Sequence, residues 1–175
     1  MYKRQGLHEA EDEIAAVWAL GDPEARVMAA GRLAAAHPSD ARLAYEWACA
    51  IDATGDRGRA VSMYHKALDA GLREPHRHRA QLQAAAAYRD LDHPEIAVEL
   101  LDTVGAGHPG SSAVAALRAL VLLDTGQATE AVAELIDALL DHATDDDAAA
   151  YRIALHQAAA QLRVAAREDP DTPTA

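Results

Sequence analysis

ARLAYEWACAIDATGDRGRAVSMYHKALDAG, residues 41–71, sets two apolar-periodic stretches on either side of a short polar turn, Thr54-Gly55-Asp56-Arg57. Before the turn, Ala48 and Ile51 lie three apart; after it, Ala60, Tyr64 and Ala67 follow at intervals of four and three. Such offsets keep to one face of a helix at 3.6 residues per turn, so the stretch reads as two helices joined by a tight turn. The unit recurs. Gly21, Gly55, Asp92 and Gly126 are separated by 34, 37 and 34 residues, each inside a polar turn between apolar-periodic segments. A period near 34 with a helix–turn–helix in each unit marks an all-α solenoid.

Counting from each turn residue exposes the packing. Seven residues before it stand Ile14, Ala48, Ala85 and Ala119; five after it stand Arg26, Ala60, Ala97 and Ala131. A methyl group at both places lets paired helices approach closely. Larger groups are expected to fill the flanks: Val17, Ile51, Tyr88 and Leu122 four before the turn, and Ala30, Tyr64, Leu101 and Leu135 nine after it. Pro38 and Pro109 fall between units, where a helix must stop, and Pro23 and Pro94 fall two residues after their turns, where a missing N–H does no harm. Ser39-Asp40 and Ser111-Ser112 offer N-caps.

This pattern resembles the tetratricopeptide repeat, whose 34-residue signature is W-x2-L-G-x2-Y, A-x3-F and a closing Pro. Residues 41–71 match best, with Trp47-Ala48-x2-Ile51, Gly55 and Ala60-x3-Tyr64. The resemblance implies a tetratricopeptide-like α-α superhelix of about four helical hairpins plus a C-terminal capping helix. It is expected as a single domain over 1–167, with repeats at about 7–40, 41–77, 78–111 and 112–144. The first departs most, since Ile14 and Arg26 replace both small residues. The cap is expected at 145–167, lining one side with Tyr151, Leu155, Ala158, Leu162 and Ala165 and covering the apolar end of the last repeat. Residues 168–175, with Pro170 and Pro173, are expected as a flexible acidic tail.

Bulk properties narrow the function. Half of the 175 residues are hydrophobic, but Ala supplies half of that share and Phe is absent, which favours thin, closely packed helices. The net charge of −12 argues against phosphate backbones and anionic membranes as partners. No stretch approaches the roughly 20 apolar residues of a membrane span. The N-terminal residues lack the apolar core of a signal peptide, and Cys49 is the single cysteine, so a cytoplasmic setting is expected.

The resemblance places a recognition groove on the first helix of each pair. It implies Arg42, Tyr45, Glu46, Cys49 and Asp52 in the second unit, Arg79, Gln83 and Arg89 in the third, and Leu117 and Leu120 in the fourth. Such a surface suits a peptide segment or partner protein with an apolar anchor and some charge. Two alternatives stand beside it: Leu117, Leu120 and Leu123 pack against the capping helix, and the arginines pair internally with Glu46 and Asp52. A self-associating protein, with its groove or end filled by a second copy, is the other reading of the function.

Catalytic and metal chemistry find no pattern. His76-Arg77-His78-Arg79 lacks a third ligand nearby, Asp145 to Asp147 lack the alternation of a calcium loop, and no phosphate-cradling loop or HExxH occurs. No neighbour of Cys49 in sequence would lower its pKa, so an unreactive thiol is expected. The expectation is a binding protein without cofactor, metal or catalysis.

Overall fold

The computed structural model describes residues 2–168, with side chains from 10 to 167. Among these residues it contains nine helices and no strand. They divide into two compact units, Met1–Leu91 and Asp92–Ala175. The first holds α1 (Tyr2–Trp18), α2 (Pro23–Ala36), α3 (Ala41–Asp52), α4 (Arg57–Asp69) and α5 (His76–Asp90). The second holds α6 (Pro94–Gly107), α7 (Ser112–Asp124), α8 (Ala128–His142) and α9 (Asp146–Glu168). The expected tail, 168–175, lies outside the described residues apart from the backbone of Glu168.

Local chemistry explains the boundaries. Asp22, Asp40, Asp56 and Ser111 each accept a backbone N–H of the following helix, so side chains satisfy donors that would otherwise be orphaned. Pro23 and Pro94 open α2 and α6. The turn residues Gly55 and Gly126 have φ of 86° and 82°, and Asp92 takes the same left-handed region at 61°. Asp tolerates that region better than most residues, which is how it substitutes for glycine there. The connection between α4 and α5, residues 70–75, is longer than the four-residue links before α3 and α7 and contains the cis peptide Glu74–Pro75.

In the first unit α2 packs on α3, α3 on α4, and α4 on α5. Ala48, Ile51, Ala60, Tyr64 and Ala67 are fully buried, as their spacing requires. At ~0.8 kcal/mol for a buried methyl against ~1.5–3 kcal/mol for a larger side chain, the alanines chiefly set helix separation while Ile51 and Tyr64 supply driving force. The first hairpin differs as expected. Ile14 is buried with Ala34 and Leu43, while Arg26 turns its guanidinium over the Trp18 ring, 5.1 Å away, and donates to the Leu20 carbonyl at 2.7 Å.

In the second unit α6 packs on α7, α7 on α8, and α8 on α9. Ala97, Leu101, Ala119 and Ala131 are buried, but Leu135 is not. Nor does α9 pack through the face expected of it: Tyr151 and Ala165 point to solvent, and Ala159 is its fully buried residue. No helix among the described residues is long and apolar enough to cross a membrane.

Candidate functional site

The polar residues expected in a groove of the first unit mostly hold one another. Glu46, a buried carboxylate, accepts from Arg42 Nε at 2.8 Å and from Trp18 Nε1 at 2.6 Å, and Arg42 also reaches Glu11 at 3.2 Å. Asp52 pairs with Arg57 and accepts the Tyr64 hydroxyl at 3.1 Å, while Arg57 continues to Asp90 at 3.0 Å and Arg89 stands 3.7 Å from Asp90. Each carboxylate lies against a guanidinium, which offsets the cost of burying it. Tyr45 is buried between the Tyr64 ring, 6.2 Å away, and the edge-on His76 ring at 5.4 Å. Burial raises the Tyr45 pKa, and burial together with positive Arg42 and Arg79 lowers that of His76. Arg79 is exposed on α5.

Cys49 donates to Gln83 Oε1 at 3.6 Å and lies 3.9 Å from the Tyr64 hydroxyl. Burial pushes its thiol up to about 11, so it is protonated and inert at neutral pH. His65 meets the Tyr88 hydroxyl at 2.8 Å. Among the described residues no three His, Cys, Asp or Glu are placed to hold a metal ion.

These contacts show how α5 is seated. It touches α3 through Gln83 on Cys49 and His76 on Tyr45, and α4 through Tyr88 on His65. Counting 6, 9 and 13 residues past each turn residue gives the stripe of the second helix on this side. In α2 it is Val27, Ala30 and Ala34, all buried; in α4, Val61, Tyr64 and Leu68, the first two buried; in α6, Val98, Leu101 and Gly105, with Leu101 fully buried.

The second unit ends differently. In α8 the same stripe is Val132, Leu135 and Leu139, and these are 48%, 46% and 67% exposed. α9 runs antiparallel to α8 along another face. Arg163 pairs with Asp137 at 2.6 Å and Glu130 at 3.3 Å, His156 meets Asp137 at 2.9 Å, and Arg152 donates to the carbonyls of Leu140 and Ala143. The buried residues of α8 on that side are Ala133 and Leu140. Their counterparts in α4 are the exposed Ser62 and Asp69. Apolar residues at positions where the earlier hairpin is polar draw the last helix about a quarter-turn around α8. That substitution was readable in the sequence and is the signal for the altered seat of α9.

Leu117, Leu120 and Leu123 consequently do not sit under the capping helix. Leu117 is half-buried, and Leu120 and Leu123 are exposed. Beside α9 opens a cavity of about 430 Å³, lined by both apolar and charged groups from α6 to α9. Arg118 there pairs with Asp102 and with Glu134 at 2.9 Å. Burial alone would raise the Asp137 pKa, but hydrogen bonds from His156 and Arg163 outweigh it and hold the carboxyl below its ordinary value. In its wall Arg118 thus answers Asp102 and Glu134, and Arg163 answers Asp137.

Comparison with known proteins agrees with this architecture. The family model described as tetratrico peptide repeat matches residues 41–164. Among solved structures, the MamA protein aligns at 17% identity over 90% of this chain and 87% of its own, with a TM-score of 0.62. MamA residues 41 to the end from Desulfovibrio magneticus RS-1 aligns at 21% identity over 85% of each chain, with a TM-score of 0.58. YrrB, titled a TPR protein with an unusual peptide-binding site, aligns at 15% identity over 90% of this chain and 84% of its own, with a TM-score of 0.58. These likenesses show a shared fold. No curated protein matches the chain.

Proposed function

This chain belongs to the tetratricopeptide repeat family, and from that premise we propose that it is a protein-interaction module whose anchoring surface is the first-helix face of its last hairpin. The fold supports protein binding in general. The observation that carries the finer reading is the contrast between the faces of α3 and α7. On α3, Arg42, Tyr45, Glu46, Cys49 and Asp52 are engaged with neighbouring side chains of their own unit. On α7, Leu120 and Leu123 stand exposed. Contiguous exposed apolar residues are what a partner covers, and they supply affinity that solvated ion pairs do not. Leu117 and Leu120 act as the anchors, and the α3 residues hold their own surface rigid. The charge of −12 opposes nucleic acid as the partner, and a lone, protonated Cys49 suits a reducing, cytoplasmic setting.

A photoreactive phenylalanine analogue at position 120, introduced in the native cell, tests the reading. A covalent adduct to a defined protein is expected there and none at Met28, which is exposed on α2. Absence of adducts at 120 sinks it. A second reading rests on Tyr151, Ile153 and Val164 of α9, exposed apolar residues that a second copy of the chain would cover. Sedimentation across a concentration series decides for or against it.

A further inference from the structure

The open stripe of α8 and the open face of α7 together form a seat whose counterpart in the first unit is filled. Positions of α3–α4 map onto α7–α8 by adding 71, the distance between Gly55 and Gly126. Tyr45 and Cys49, which touch α5, map onto Ala116 and Leu120; Asp52 maps onto Leu123; Val61, Tyr64 and Leu68 map onto Val132, Leu135 and Leu139. Ala119 and Ala131, both buried, are the close-contact positions of the α7–α8 pair. Because the two helices run antiparallel, residues that follow these alanines in helical phase turn to the same side on both. The two stripes therefore face one channel, and α9 is bound elsewhere on α8, through Glu130, Asp137 and Leu140.

Resting on the reading of α7 as the anchoring surface, we propose that the channel floored by Ala116, Leu120, Leu123, Val132, Leu135 and Leu139 is the docking seat for a single amphipathic α-helix of another protein, with an apolar inner face and a basic outer face. The secondary structure of the occupant follows from the floor. These six side chains offer no hydrogen-bond donor or acceptor, so an extended segment would leave its inward N–H and C=O groups unmet, whereas a helix satisfies its own. The counterpart seat on α3–α4 holds a helix, α5.

The sign of the outer face follows from charge. Residues 92–175 hold fifteen acids against four bases, while residues 1–91 hold thirteen against twelve. Three of the four bases are committed: Arg118 to Asp102 and Glu134, Arg163 to Glu130 and Asp137, and Arg152 to backbone carbonyls. Asp124 closes α7 immediately after Leu123, and Asp145 to Asp147 follow α8 as exposed carboxylates. A lysine- or arginine-bearing helix gains from this field, and a second copy of the same acidic unit is repelled by it.

The full chain is titrated by fluorescence anisotropy with two synthetic peptides matched to the 15 residues of α8. Both carry Leu and Ala on one face; the other face is Lys in one and Glu in the other. Saturable binding of the Lys peptide is expected, about tenfold or more tighter than the Glu peptide, with a gain in helicity and weakening by salt. Leu135→Glu and Leu139→Gln are each expected to lose about tenfold without changing the far-ultraviolet spectrum, since both side chains are exposed. If Leu135→Glu fails to fold, Leu139→Gln carries the test. The proposal is overturned if the two peptides bind alike, if neither binds, if both variants bind as the parent does, or if the parent is a dimer that Leu139→Gln dissociates. Adducts at position 120 with no Lys-peptide binding leave the anchoring face standing and remove only this helix seat.

Discussion

Two helix pairs in this molecule share one pattern and meet different fates. α3–α4 receives α5 in the channel between them; α7–α8 has the same channel, and α9 lies along a different face of α8. In the first pair the channel is walled by Tyr45, Cys49, Asp52 and Tyr64, which meet one another and α5 through hydrogen bonds and ring contacts. In the second it is walled by Ala, Val and Leu alone. The contrast teaches that a repeat pattern specifies the shape of a seat but not its tenant. The tenant depends on which face of the helix offers the better burial, and Ala133 and Leu140 tip that choice for α9.

The sharpest way to break the comparison is to truncate equivalent residues. Tyr64→Ala should cost ~3–5 kcal/mol, as for other large aromatic truncations in a packed interior. Its counterpart Leu135→Ala should cost under about 1 kcal/mol, because nearly half of that side chain already faces water. Denaturant melts followed by tryptophan fluorescence report the first, since Trp18 and Trp47 both lie before residue 91; circular dichroism reports the second. Equal losses would show that the channel on α8 is closed. Next in size is Arg42→Met, which leaves the buried Glu46 carboxylate with only the Trp18 donor. A loss of about 2 kcal/mol in the same melts is expected, and no loss would remove the network as the reason the α3 face is rigid.

A smaller effect tests the seat of α9. The Asp137 carboxyl is held below its ordinary value by His156 and Arg163. Its contribution is therefore complete above about pH 4, the ordinary carboxylate value, and disappears as pH falls through the lower folded value. Asp137→Asn should melt earlier than the parent at neutral pH and converge with it in acid. Parallel curves at all pH values would contradict the pairing. Smallest is the thiol: with Cys49 pushed up to about 11, alkylation should be slow at pH 8 and accelerate as pH rises toward that value. Gln83→Ala, which removes the amide oxygen that accepts from the thiol, should change the rate only modestly.

Much of the architecture was legible beforehand because it depends on short-range rules. The turn residues, the prolines, the caps at Asp40 and Ser111, and the alanines at 48, 60, 97 and 131 act within a turn or across one hairpin. Tyr88, Leu122 and Leu135 show where that reading stopped. They follow the core spacing, yet Tyr88 and Leu122 are half-buried and Leu135 is exposed. Their burial requires a neighbour from the next element, and spacing inside one hairpin says nothing of where that neighbour settles. The stripe expected to seat the capping helix, Tyr151 to Ala165, met the same limit. The candidate binding residues were legible as positions on first helices. Whether Arg42 faced a partner or Glu46 was not, because an ion pair depends on distances between side chains 4 to 31 residues apart.

The amino-acid order alone determined that this chain folds as tandem helical hairpins, since periodicity, glycine-compatible turns and small residues are properties of each segment by itself. Only the tertiary structure decided which apolar faces remain uncovered. Burial is a competition among all surfaces that a helix can reach, and α9, apolar on more than one side, settled it in favour of Ala133 and Leu140.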